Sequence, residues 1–162
     1  MTSGRFWLIA AALASPALAA IACGGGGAPC TTCAPIEGRY PLEFAAGAVP
    51  ADCASLNVAL PRGPLDIQRA GSQLTATLDN VPLQGTLFQS SDFNLLGSQA
   101  AQDGGSTTQF AFSGSYTPGR ADGGTGSLSG SFTGTYSRPS PQGTGRCTLP
   151  RAYTATQQPA QP

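Results

Sequence analysis

The groups in this chain that could carry chemistry are five cysteines, eight arginines and eight carboxylates. Lys and His are absent from all 162 residues. That removes Ser-His, Cys-His and Ser-Lys nucleophile activation, Schiff-base lysines and imidazole metal sites, which need a titratable base or a free amine. The carboxylates are Glu37, Glu43, Asp52, Asp66, Asp79, Asp92, Asp103 and Asp122. Asp79, Asp92, Asp103 and Asp122 fall at expected turns, where a short carboxylate caps local backbone. Glu37, Glu43 and Asp66 fall on solvent-facing strand positions. A glycosidase-like pair needs two carboxylates converging in a cleft, and nothing in this spacing suggests one. Asp103-Gly104-Gly105 and Asp122-Gly123-Gly124 lack further oxygen ligands at alternate positions, so they read as hairpin tips rather than calcium loops. Gly24 to Gly27 and Gly123-Gly124-Thr125-Gly126 lack the strand-Gly-helix frame and the Lys of a phosphate loop. No catalytic residue, metal site or cofactor is therefore expected, and the chain is not expected to be an enzyme. Eight cations against eight anions announce no basic face, so no nucleic-acid partner is expected.

The N-terminus reads as an address. Met1 to Arg5 is short and positive, Phe6 to Ala14 is apolar, and small residues Ala17 to Ala22 lead to Cys23. These are the three parts of an export signal over residues 1–22. Residues 6 to 22 number 17 and include Pro16, whereas a transmembrane span needs about 20 apolar residues. The segment Ala20-Ile21-Ala22-Cys23 resembles the lipobox of bacterial lipoproteins, although Ala20 stands where Leu is commonest. The resemblance implies cleavage before Cys23 and acyl chains, such as palmitate, on that residue, with the membrane as partner. Gly24, by resemblance to sorting preferences in Gram-negative cells, implies transfer to the outer membrane, against retention on the periplasmic face. Ordinary cleavage after Ala19 or Ala22 is the alternative and would give a soluble secreted or periplasmic protein. Residues 23–35 read as a Gly-rich tether carrying a CxxC, with almost nothing to bury in Gly24 to Pro29.

With Cys23 set aside for lipid, four cysteines remain: Cys30, Cys33, Cys53 and Cys147. An even number in an exported chain suggests disulfides, and four allow three pairings. Cys30-Thr31-Thr32-Cys33 follows polyglycine and precedes Ala34-Pro35, so it lacks the strand-to-helix setting of a thioredoxin-like centre. A four-cysteine zinc site would prefer a second CxxC. The favoured pairing joins Cys53 to Cys147 and Cys30 to Cys33, because a closed sheet puts its first and last strands side by side. Cys30 or Cys33 with Cys147 remains an alternative.

The elements that must position these residues are strands. From Ile36 the dominant period is two. Ile36, Gly38, Tyr40, Leu42 and Phe44 alternate with polar neighbours and Pro41, which cannot donate a ladder hydrogen bond and so marks a free or bulged side. The alternation recurs at Leu74 to Leu78, Phe110 to Tyr116 and Leu128 to Tyr136. Weaker strands fit at Leu56 to Leu60, Leu65 to Arg69, Leu83 to Gln89, Phe93 to Ser98 and Cys147 to Thr154. Pro50 to Leu56 could hold one helical turn. Tight turns at Ala70-Gly71-Ser72, Asp79-Asn80 and Gln89-Ser90-Ser91 make neighbours antiparallel. In Phe112-Ser113-Gly114-Ser115-Tyr116, and in the run from Leu128 to Tyr136, Gly shares a face with the large residues, leaving room for them as a small barrel requires. The expected fold is all-β, an antiparallel up-and-down meander barrel of eight or nine strands over residues 36–154. A small β-sandwich is the alternative. Residues 155–162 (ATQQPAQP) read as a disordered tail.

Glu37-Gly38-Arg39-Tyr40 at the first strand, the Gly-Ser/Thr hairpins and the returning Cys147 strand resemble small bacterial lipoproteins with a lipocalin-like barrel. Lipocalins proper carry Gly-x-Trp where this chain has Gly38-Arg39-Tyr40, and its single Trp, Trp7, lies in the signal. The expected function is that of a non-enzymatic envelope lipoprotein, a structural or interaction module with aromatics filling its interior. The alternative is a lipocalin-like carrier of a small apolar ligand. Arg151 shares a face with Cys147, Leu149 and Tyr153, and either offers a ligand handle or pairs with a carboxylate at a barrel rim.

Overall fold

The computed structural model describes residues 27–102, 105–120, 124–140 and 143–158. The signal segment 1–22, Cys23, the carboxylates Asp103 and Asp122 and residues 159–162 lie outside the described residues. Eight strands form: β1 (Gly38–Phe44), β2 (Pro64–Ala70), β3 (Gln73–Leu78), β4 (Val81–Leu87), β5 (Asp92–Ala100), β6 (Thr107–Thr117), β7 (Ser127–Ser140) and β8 (Gly143–Thr156), with one short helix, α1 (Ala51–Ser55), between β1 and β2. Each strand pairs with the next and β8 pairs with β1, which closes the sheet into an antiparallel up-and-down barrel. The expected barrel is found, and the sandwich alternative is not.

Turn chemistry sets this meander. Asp79 and Asn80 both have positive φ, 47° and 66°, between the paired residues Leu78 and Val81. Left-handed backbone at both central positions matches the twist of a hairpin. Gly71, at φ 64°, makes the β2–β3 turn. Closure is thinnest at β1, which pairs with β2 at Gly38 to Pro41 and with β8 only at Leu42 to Phe44. Pro41, with no N–H, sits where β1 changes partner, as its chemistry requires.

A candidate ninth strand at Leu56 to Leu60 does not form. A closed barrel has no free edge for it, and Asn57, at φ 52°, turns the chain out of α1. The helical turn expected at Pro50 to Leu56 is present as α1. The expectation of a disordered tail also needs correction. Ala155 and Thr156 belong to β8, and Gln157 is bound through its side chain to the Glu37 carbonyl (2.6 Å) and through its N–H to Gly126 (2.8 Å). A polar sequence hides these bonds, because they are backbone and amide contacts to residues distant in the chain.

One face of every strand turns inward. Tyr40, Leu65, Leu74, Leu78, Leu83, Leu87, Phe93, Leu95, Leu128, Phe132 and Leu149 are buried almost completely. Part of this core is an aromatic cluster. Phe132 meets Phe112 at 5.0 Å, Phe44 at 5.2 Å and Phe110 at 5.4 Å between ring centroids. Phe112 meets Tyr153 edge-on at 5.3 Å, and Phe110 meets Tyr136 at 6.1 Å. Tilted and edge-on rings at these distances gain the quadrupole attraction of aromatic pairs. Gly114 and Gly130 face one another across β6 and β7. A methyl on Gly130 would sit 2.1 Å from the Ser113 carbonyl oxygen, and one on Gly114 would sit 2.8 Å from the Tyr153 hydroxyl. The glycines thus let two strands coil tightly and give the Tyr153 ring its place.

Candidate functional site: a sealed barrel interior and its staples

Both ends of the barrel are closed by chain. At one rim lie the turns β2–β3 and β4–β5, the β6–β7 loop and the chain around Gln157. Residues 28–37 cross this rim as a lid. Gln89 N–H donates to Ala28 (3.1 Å) and Cys30 N–H donates to Leu87 (3.1 Å). From inside, Tyr116 donates its hydroxyl to the Pro35 carbonyl and Tyr40 to the Ile36 carbonyl, each at 2.8 Å. Ile36, at 0% exposure, is the plug. The part of the expected tether after Gly27 is therefore a packed lid. A CxxC followed by Ile36 was the only local hint of it.

At the opposite rim the crossover from Ala45 to Gly63 performs the same role. Cys53 on α1 is fully buried and bonded to Cys147 on β8, with 5.2 Å between their Cα atoms. Cys30 and Cys33 are bonded within the lid, also with 5.2 Å between Cα atoms. The favoured pairing is thus the one found. Two disulfides fit an oxidising compartment.

Two expectations for charged residues change. Arg151 does not pair with a carboxylate. Its guanidinium donates to the carbonyls of Pro150 (2.8 Å), Gly47 (3.0 Å) and Ala48. The inward face of β8 places it where β1 has left the sheet, so it fills that gap and clamps the crossover instead of meeting a ligand. Asp79 does not cap local backbone. Its carboxylate accepts from the N–H groups of Arg62 (3.1 Å) and Gly63 (2.9 Å), seventeen and sixteen residues away, and holds the end of the same crossover. No periodic signal marks either contact, because both join a turn or strand to irregular backbone.

Two of the remaining carboxylates make surface pairs. Glu37 meets Arg69 at 2.7 Å, and Asp66 meets Arg39 across the β1–β2 register at 3.8 Å. Glu43 is exposed on the outer wall. Asp92 accepts from Ser115 (2.6 Å) and Ser90 (2.7 Å), and these bonds lower its pKa below the usual carboxylate value. Among the described residues no group of three or more His, Cys, Asp or Glu is placed to hold a metal ion. Among the described residues, recesses of about 220 Å³ at the β1–β8 seam, 260 Å³ over β2 to β4 and 340 Å³ beside Arg138 open to solvent.

The chain has four tyrosines, and Tyr40, Tyr116, Tyr136 and Tyr153 are each at most 4% exposed. Burial raises the pKa of all four, Tyr136 to about 12, with Glu37 adding to the rise at Tyr40 and Tyr116. The folded state therefore holds protons that the unfolded chain releases near pH 10. This contribution to stability is complete below pH 10 and declines as pH rises beyond it. Absorbance at 295 nm should show tyrosinate appearing together with loss of near-ultraviolet dichroism. Tyrosinate at pH 10 in a still-folded protein would contradict this burial.

Tyr153 differs from the other three because its buried hydroxyl has no hydrogen-bond partner among the described residues. An unpaired buried hydroxyl costs about 1–3 kcal/mol. Tyr153→Phe should leave stability unchanged or raise it by about 1 kcal/mol in urea unfolding, whereas Tyr116→Phe, which orphans the Pro35 carbonyl, should lower it.

Comparison of the chain with protein-family models, with curated proteins and with solved structures finds no match in any of the three. The class that the fold defines is a closed eight-stranded antiparallel barrel with disulfide-stapled ends.

Proposed function

We propose that this chain is an exported envelope lipoprotein, anchored through acyl chains on Cys23, whose barrel is a non-enzymatic structural or interaction module. The observation that carries the reading is the filled interior. Phe132, fully buried, stands against three other aromatic rings while lid and crossover close the two ends. An eight-stranded barrel is just wide enough either to be packed by side chains or to hold one small ligand, and here the rings take that space. Function then lies on the outer wall and the rims. The disulfides support the exported half of the reading, and the lipobox resemblance at Ala20 to Cys23 supports the anchor.

A lipocalin-like carrier is the second reading, favoured by the unpartnered Tyr153 hydroxyl, which could meet a polar atom of an apolar guest. The anchor is tested by the intact mass of protein extracted from membranes. Acyl chains on Cys23 are expected, and Cys23→Ser should move the protein to the soluble fraction. A membrane-extracted protein of unacylated mass would remove the anchor from the proposal.

A further inference from the structure

The lid fixes where the chain leaves the barrel, and the tether before it is short. Among the described residues, the first point held to the barrel is Ala28, through its bond to Gln89 N–H at the β4–β5 turn, followed by the Pro29–Phe88 bridge and the Cys30–Leu87 bond. Between Cys23 and Ala28 stand only Gly24 to Gly27. Fully extended, that link spans about 17 Å, and as a flexible coil about 12 Å. The barrel, with strands of up to 14 residues tilted as closure demands, is about 30 Å tall. If Cys23 sits in a bilayer, the rim carrying the lid is therefore held near the headgroups, and the rim carrying α1 is held away from them.

Among the described residues the lid rim carries two carboxylates, Glu37 paired with Arg69 at 2.7 Å and Asp92 held by two serine hydroxyls. The exposed Arg120 lies on the β6–β7 loop of the same rim. Arg120 is a cation that anionic headgroups attract.

We infer that the lid rim, at Gly71, Gln89 and Arg120, is the membrane-apposed surface of the protein, its partner a phospholipid headgroup layer, and that the α1 rim is the end presented outward. This rests on the lipid anchor proposed above. Without the signal the chain has no Trp, since Trp7 is its single one, so introduced tryptophans report cleanly. Gln89→Trp on the lid rim, Gln84→Trp on the outer wall of β4 and Ala54→Trp on α1 all replace exposed residues. Each variant, acylated and reconstituted into phosphatidylethanolamine–phosphatidylglycerol vesicles, is quenched with headgroup spin-labelled lipid. Quenching at Gln89→Trp should exceed that at the other two at least threefold, and ten Gly-Ser residues inserted before Gly27 should reduce it. Equal quenching at all three positions, or strongest quenching at Gln84→Trp or Ala54→Trp, in protein of confirmed acylated mass overturns the orientation alone. An unacylated mass in the same sample overturns the anchor and the orientation together.

Discussion

Replacing Cys53 and Cys147 together by Ala should lower unfolding stability by about 4 to 5 kcal/mol in the chain-entropy description. The bond joins residues 94 apart in sequence, so it removes a large part of the freedom of the unfolded chain. Its effect is not only on the unfolded state. Cys53 anchors α1, and α1 closes one end of the barrel. The same replacement at Cys30 and Cys33, which lie 3 apart, should cost about 2 kcal/mol by the same relation. Urea unfolding of the two double variants beside the parent reads the difference directly. Near-equal losses would mean that the crossover is held by its other contacts, chiefly Arg151 and Asp79, with the staple adding little.

The second large effect is expected at Phe132. Phe132→Ala should lower stability by about 3 to 5 kcal/mol, since truncation loses the transfer energy of a buried ring and leaves a cavity. The surrounding rings of Phe44, Phe110 and Phe112 come from two other strands, β1 and β6, so collapse around the gap is restricted and the upper part of that range applies. A vacated apolar site of this size admits a small aromatic guest. Toluene should therefore raise the melting temperature of Phe132→Ala and leave the parent unchanged. A parent protein that toluene also stabilises would mean that the interior already has room. Outward residues behave differently. Ser113 and Ser131, whose hydroxyls bond across β6 and β7 at 2.9 Å on the exposed wall, should tolerate Ala with changes within about 0.5 kcal/mol.

Much of this fold was legible because the inward and outward faces differ so plainly. The run Leu128-Ser129-Gly130-Ser131-Phe132-Thr133-Gly134-Thr135-Tyr136 can bury one side only as a strand, and Asp79-Asn80 all but specifies its hairpin. The Cys53–Cys147 bond followed from closure, which brings the end of the first strand beside the last. What escaped was everything held by irregular backbone. The lid over residues 28–37, the Arg151 clamp on Gly47 and Ala48, and the Asp79 bonds to Arg62 and Gly63 pair side chains with backbone groups that carry no residue-type signature. The same is true of Gln157, a polar residue in a Pro-ended tail that proves to bind both Glu37 and Gly126. Leu56 to Leu60 misled for a related reason. Its alternation is real, and Val58 is buried, but a closed sheet offers no edge on which a ninth strand could pair.

The filled interior also bears on how the two rims divide the work. The staples lie at opposite ends, one inside the lid and one tying α1 to β8. Each closes an opening through which a barrel of this kind would otherwise exchange a guest. Reducing both bonds should loosen the ends before the aromatic layer, because the rings are held by strand pairing on both sides.

Native mass spectrometry of the protein purified from its own cells without organic extraction tests the central claim most directly. Once any acyl chains are accounted for, the account predicts a mass equal to the polypeptide less the hydrogens lost to two disulfides, with no bound molecule. A small apolar compound retained at one per chain, and released only on unfolding, would contradict it.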